Sequence, residues 1–84
     1  MEVKPIKKVS TAVRVFESLY EMIVKGHFHR GQKLPSQEEL AKQFGVSRNT
    51  LREAMNKLYA MGLLSSHQGI GTVVESPNPE NYLK

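Results

Sequence analysis

The chain has 84 residues, 39% hydrophobic and 24% charged, with no cysteine and a formal net charge of +4. That is enough for one small domain with a single core and not for two, and the composition is neither that of a disordered segment nor that of a membrane-embedded one. Without cysteine there is no disulfide framework, no thiolate zinc site and no cysteine nucleophile.

Residues 1 to 10 read as a flexible basic arm, with Pro5 and no periodic apolar pattern. From Thr11 onward Ala12, Phe16, Leu19 and Ile23 recur at helical spacing, and Val13, Tyr20 and Val24 widen the stripe. Ser10 or Thr11 can cap the start, and Gly26 follows an expected end near Lys25. "HFHRGQKLP" is a connector whose Gly31 and Pro35 stop both helix and central strand. Phe28 and Leu34 are expected to pin it to the core.

In "PSQEELAKQFG", Ser36 and Glu39 have the spacing of a capping box, in which each side chain satisfies a backbone amide at the helix start. Leu40, Ala41 and Phe44 form the buried stripe of this second helix. Gly45 supplies the left-handed residue that ends it, Val46 plugs the turn into the core, and Ser47 caps a third helix over residues 47 to 61. The short connection is that of a helix-turn-helix. On a helical wheel Leu51, Ala54, Met55, Leu58 and Met61 share one side, whereas Asn49, Arg52, Glu53 and Asn56 fall opposite with Arg48 at the border.

"LLSSHQGIGTVVE" gives two β-prone runs, Leu63 to Ser66 and Thr72 to Glu75, around a reversal at residues 67 to 71. The fold class is therefore mainly α with a small β-hairpin: a winged helix-turn-helix of three helices plus a two-stranded antiparallel wing, over residues 11 to 75. In "SPNPENYLK" the prolines break the strand, and Asn78, Pro79 and Glu80 have the pattern of another helix start. Residues 76 to 84 are thus expected to lead toward a second, C-terminal domain, the alternative being a frayed natural tail.

With these residues in view, the chain resembles the amino-terminal DNA-binding domain of the GntR family of bacterial transcription regulators. The resemblance runs over "GQKLPSQEELAKQFGVSRNTLREAMNKLYAMGLLSSHQGIGTVV", residues 31 to 74, and is carried by the combination of LPS, LA, FGVSR, TLREA, GLL and G-x-GT. "LREA" leans toward the FadR-like subgroup, which implies an all-helical second domain that binds a small-molecule effector and dimerises. The resemblance also implies that the third helix reads base edges and phosphates in the major groove while the wing approaches the minor groove. The matching positions here are Ser47, Arg48, Asn49, Thr50 and Arg52 in the helix, with Gln68 and Gly69 in the wing. The second helix of the family often brings a basic or amide residue to the DNA, and Glu38 stands at that position. An acid there either turns away, accepts from a cytosine amine, or lies outside the surface. Asn49 replaces the more usual threonine.

The chemistry of these residues can be weighed without the resemblance. Residues 1 to 33 hold seven Lys or Arg against three acids, which is the whole positive excess, and residues 34 to 84 balance five against five. A DNA reading must then rest on where Arg48 and Arg52 point rather than on bulk charge. Spaced i, i+4, both can face one groove, and arginine can offer paired donors to guanine O6 and N7. Alone, such a pair is more often a solvated face; its place after a capped turn and before a glycine wing favours DNA. Ser47 either caps the helix or lends its end to a phosphate, Thr50 touches phosphate or a thymine methyl or finishes the turn, and Asn49 pairs with adenine or faces solvent. Gly69 and Gly71 let backbone approach DNA, or serve the turn only. Gln68 can bond at the minor-groove edge, and His67 can add charge near phosphate in mild acid. Lys4, Lys7 and Lys8 either reach phosphates or confer solubility.

No cofactor or metal is expected in this domain: His27 and His29 lack third and fourth ligands nearby, and "GIG" has neither the preceding strand nor the following Lys-Ser/Thr of a nucleotide loop. No catalytic set is expected, because nothing in the spacing groups the serines, histidines and acids around a pocket. Tyr59 belongs at the rim of the core or at a protein interface. A winged helix used for protein contacts is the competing module, and an enzyme is the third. Apolar runs far below the ~20 residues of a membrane span, and no signal-peptide core in "MEVKPIKKVS", lead to a cytoplasmic expectation. A single module buries limited surface, so the full-length protein is expected to act as a homodimer on a two-fold-related operator.

Overall fold

The first helix starts where a side-chain oxygen meets its bare amides. In the computed structural model, which describes residues 10 to 75, Ser10 Oγ accepts from the Val13 amide at 3.1 Å and α1 runs Thr11–Val24. The basic arm expected over residues 1 to 10, Ser10 apart, and the linker expected over 76 to 84 lie outside the described residues.

The buried line of α1 is Ala12, Val15, Leu19 and Ile23, which corrects the expected stripe in two places. Val15 is core, whereas Tyr20 and Val24 are 39% and 50% exposed. At 100° per residue Val13, Tyr20 and Val24 sit roughly a quarter-turn from Ala12, beyond the strip a neighbouring helix can cover. Phe16 lies between these zones, half-buried, stacked on Tyr20 with ring centroids 5.9 Å apart and with Lys57 Nζ 5.6 Å from its own centroid.

The connector carries more than a stop signal. Leu34 is buried and Phe28 packs against the core as expected. Residues 32 to 34 also align along the last strand: Gly31 and Leu34 donate their amides to Val74 and Thr72 (2.7 and 2.9 Å), and the Val74 amide donates to Gln32 (2.9 Å). Lys33 and Val73 form an antiparallel bridge. Three residues between Gly31 and Pro35 are too few to display an alternating pattern, which hid this pairing from periodicity.

Ser36 Oγ accepts from the Glu39 amide (3.1 Å) and opens α2, Gln37–Phe44. Only that half of the expected capping box is made among the described residues, because Glu39 Oε2 instead accepts from Gln43 Nε2 one turn on, at 3.2 Å. Gly45 ends α2 in the left-handed conformation (φ 71°, ψ 35°), and the Val46 amide reaches back to Ala41 at 3.0 Å. Any residue with a Cβ would be strained at that φ.

Ser47 Oγ accepts from the Thr50 amide (3.1 Å), so α3 runs Arg48–Ala60 with Ser47 and Met61 as caps, one residue inside the expected span at each end. Leu51, Ala54, Met55 and Leu58 are buried against α1 and α2; Met61 is half-buried. The wing follows as β1, Leu64–His67, and β2, Gly71–Val74, antiparallel with Leu64 opposite Val74 and His67 opposite Gly71. β1 starts one residue later than expected because Leu63 closes the helix end, its amide bonded to Leu58 at 3.0 Å. The architecture is a winged helix: three helices and a two-stranded antiparallel sheet.

Candidate nucleic-acid interface

The front of α3 presents a polar ridge. Ser47, Arg48, Asn49, Arg52, Glu53 and Asn56 are exposed and Thr50 is half-buried, because burial of Leu51, Ala54, Met55 and Leu58 fixes which side of the helix faces water. Arg52 Nη1 donates to Asn49 Oδ1 at 3.1 Å, so Asn49 braces an arginine in addition to offering its own amide. Ser47 Oγ donates to Thr50 Oγ1 at 3.0 Å, which leaves the Thr50 proton free for an outside acceptor. Arg48 Nη2 stands 3.7 Å from Glu38 Oε1. Glu38 thus stands beside the ridge, next to Arg48.

In the wing, Gln68, Gly69 and Ile70 make the turn between the strands and are all exposed, with the Ile70 amide bonded to His67 at 3.0 Å. Gly69 has φ +82°, and a Cβ there would meet nothing within 4 Å, so glycine serves the backbone conformation and leaves open space outside. At Gly71 (φ +114°) a Cβ would touch Lys33 Cε at 3.4 Å. Ile70, 53% exposed, is an apolar tip that the sequence reading did not single out; its place between two glycines of positive φ was the signal. Tyr59 sits at the core rim, and its hydroxyl and Thr72 Oγ1 are 2.7 Å apart. That bond ties α3 to β2 across 13 residues of sequence.

One grouping was illegible in the spacing. Ser65 and His67 share a face of β1, and across the hairpin Glu75 joins them: Ser65 Oγ lies 2.9 Å from His67 Nε2 and donates to Glu75 Oε2. Since the hydroxyl has one proton and gives it to the acid, the imidazole Nε2 must be the donor toward Ser65. The group lies on the wing, with the His67 and Glu75 side chains 49% and 38% exposed. A separate apolar crevice of about 170 Å³ is lined by Met22, Phe28, Leu40, Gln43 and Phe44, with no acid, base or nucleophile among them. His27 and His29 are exposed, and no group of three metal-ligating side chains occurs among the described residues. No helix among them is long and apolar enough to cross a membrane.

Comparison with known proteins bears on this surface directly. Residues 11–74 match the family described as "Bacterial regulatory proteins, gntR family". The chain is 42% identical over 69 residues to the probable fructoselysine utilization operon transcriptional repressor of Escherichia coli K12, covering 82% of this chain and 28% of the relative. It is 39% identical over 71 residues to the HTH-type transcriptional repressor NagR of Bacillus subtilis 168, covering 84% and 29%. This chain thus spans less than a third of the length of these curated relatives. Among solved structures it is similar to AraR(DBD) in complex with operator ORR3, with 38% identity, a TM-score of 0.75, and coverage of 88% of this chain and 89% of that one.

Proposed function

This chain belongs to the gntR family of bacterial regulatory proteins, and from that premise we propose that it reads a double-stranded DNA operator with the ridge at the front of α3. The observation that carries the proposal is geometric: Arg48 and Arg52 are both exposed on a helix whose opposite side is locked in the core. A major groove about 12 Å wide accepts one such helix. Arg48 and Arg52 offer paired donors to guanine edges, Asn49 steadies Arg52, and Ser47 and Thr50 present a hydroxyl and the helix end to a phosphate. Gln68 and Gly69 lie along the minor groove, where the missing Cβ leaves room for backbone contact.

For the longer protein the proposal extends to a homodimer, two modules on a two-fold-related site, with a small-molecule effector held by a second domain that follows residues 76 to 84. Repression of transcription is the direction favoured by the names of the two relatives, and the cytoplasm is the compartment proposed for it. The finer placement in the FadR-like subgroup rests on the LREA run at residues 51 to 54. No catalysis, metal or cofactor is assigned to this domain.

Selection of duplexes from a randomised pool, followed by a salt titration, tests the reading. A consensus should emerge, and affinity should fall with salt on a log-log slope of about −0.9 per phosphate contacted. A pool that yields no consensus, or binding indifferent to salt, sinks the proposal and favours a protein-binding winged helix.

A further inference from the structure

We propose that Glu38 is a specificity-determining residue that works through Arg48, biasing it away from phosphate and toward the uncharged edge of a base. This inference rests on the DNA-binding reading above. Glu38 Oε1 lies 3.7 Å from Arg48 Nη2, and the two side chains are 68% and 62% exposed. Glu38 belongs to the first turn of α2 and Arg48 to the first turn of α3, so the pair bridges the two helices of the helix-turn-helix and exists before a duplex arrives. The cap of α2 leaves the Glu38 carboxylate free for this contact: Ser36 Oγ receives the Glu39 amide, and Glu39 itself takes Gln43.

The consequence follows from charge. A guanidinium has five donors in a rigid fork, and one of its edges faces the carboxylate. When the free edge meets a phosphate, Glu38 is held near a second negative charge and the two repel. When the free edge meets guanine O6 and N7, the acceptor carries no net charge and Glu38 can stay where it is. Phosphate contacts supply nearly all non-specific affinity, whereas base edges carry sequence. A carboxylate beside Arg48 therefore weakens non-specific binding more than specific binding. The size is that of an exposed ion pair, up to about fivefold in an equilibrium constant.

The test is a ratio of affinities for two duplexes: one selected by the parent chain from a randomised pool, and one of random sequence and equal length. Glu38→Gln preserves shape and removes the charge. Affinity for the random duplex is expected to rise by up to about fivefold, with a salt slope steeper by up to about 0.9, while affinity for the selected duplex changes little. Glu39→Gln, which removes a charge from the same helix end, should leave the ratio as it was. In an Arg48→Ala background, Glu38→Gln should no longer alter the ratio, which isolates the pair as a double-mutant cycle does. An unchanged ratio, or an equal rise on both duplexes, overturns the inference. So does a loss confined to the selected duplex, since Glu38 would then touch a base itself. A parent chain with no salt-dependent affinity for either duplex would instead overturn the DNA-binding reading.

Discussion

The front of α3 and the tip of the wing are both exposed, and the chain holds them by opposite means. Arg48, Asn49 and Arg52 stand on a backbone whose other side is at most 1% exposed at Leu51, Ala54, Met55 and Leu58. Moving that backbone means opening the core. Gln68, Gly69 and Ile70 are exposed together, and behind them hydrogen bonds hold β2 along its length, between Tyr59 and Thr72 and between residues 31 to 34 and β2. The helix thus has a fixed main chain and adjustable side-chain ends, suited to a fixed pattern of base edges. The turn of the wing has no buried side chain among Gln68, Gly69 and Ile70, and main chain of that kind is the first to open locally.

The comparison breaks first, and most heavily, in the core. Leu51→Ala removes a fully buried side chain from beneath the ridge and should cost about 2–5 kcal/mol of stability, a large share of the ~5–15 kcal/mol typical of a domain. Thermal or urea melting followed by circular dichroism reads it; an unchanged midpoint would mean that the core does not hold the ridge. Arg52→Ala acts next and in the opposite sense. It should lower affinity for a selected duplex by about 1–3 kcal/mol and shift stability by no more than about 0.5 kcal/mol, so the same melting curve paired with a binding isotherm separates the two faces of one helix. The smallest effect sharpens the wing side. Tyr59→Phe deletes the hydroxyl bonded to Thr72 and should cost about 1 kcal/mol. Hydrogen exchange should speed up at the amides of β1 and β2 while those in the middle of α3 keep their protection. Uniform acceleration over both would show that wing and helix share one rigidity after all.

Much of this architecture was written in the order of residue types. Ser36 and Ser47 as caps and Gly45 as the left-handed stop are local signals, decided within one turn of chain, and all three are found. The core side of α3 was equally legible because a 3.6-residue period marks it in one strand of sequence. What escaped depends on partners far along the chain. Val15 is an exception that was legible: it follows Ala12 by three residues and precedes Leu19 and Ile23 by four and eight, so the helical period itself places it on the buried line. The pairing of Lys33 with Val73, the Tyr59–Thr72 bond and the meeting of Ser65 and His67 with Glu75 are tertiary events with no local pattern. At the candidate site, the types and spacing of Arg48 and Arg52 were readable, and so was the reach of Asn49 to Arg52 three residues on in the same helix, whereas Glu38 as the partner of Arg48 was not, since a side-chain ion pair across two helices needs the angle between them.

Val74, buried at the end of β2, bonds through both its amide and its carbonyl to residues made long before it, Gln32 and Gly31. A ribosome delivers the connector early and this strand late, so closing the loop of about 40 residues between them must wait for the strand. Until Val74 clears the exit tunnel, Leu34 and Leu64 lack the neighbour that shields them, although every residue of α3 has already been synthesised. A nascent chain halted before that point would therefore carry its arginines on an unfinished scaffold.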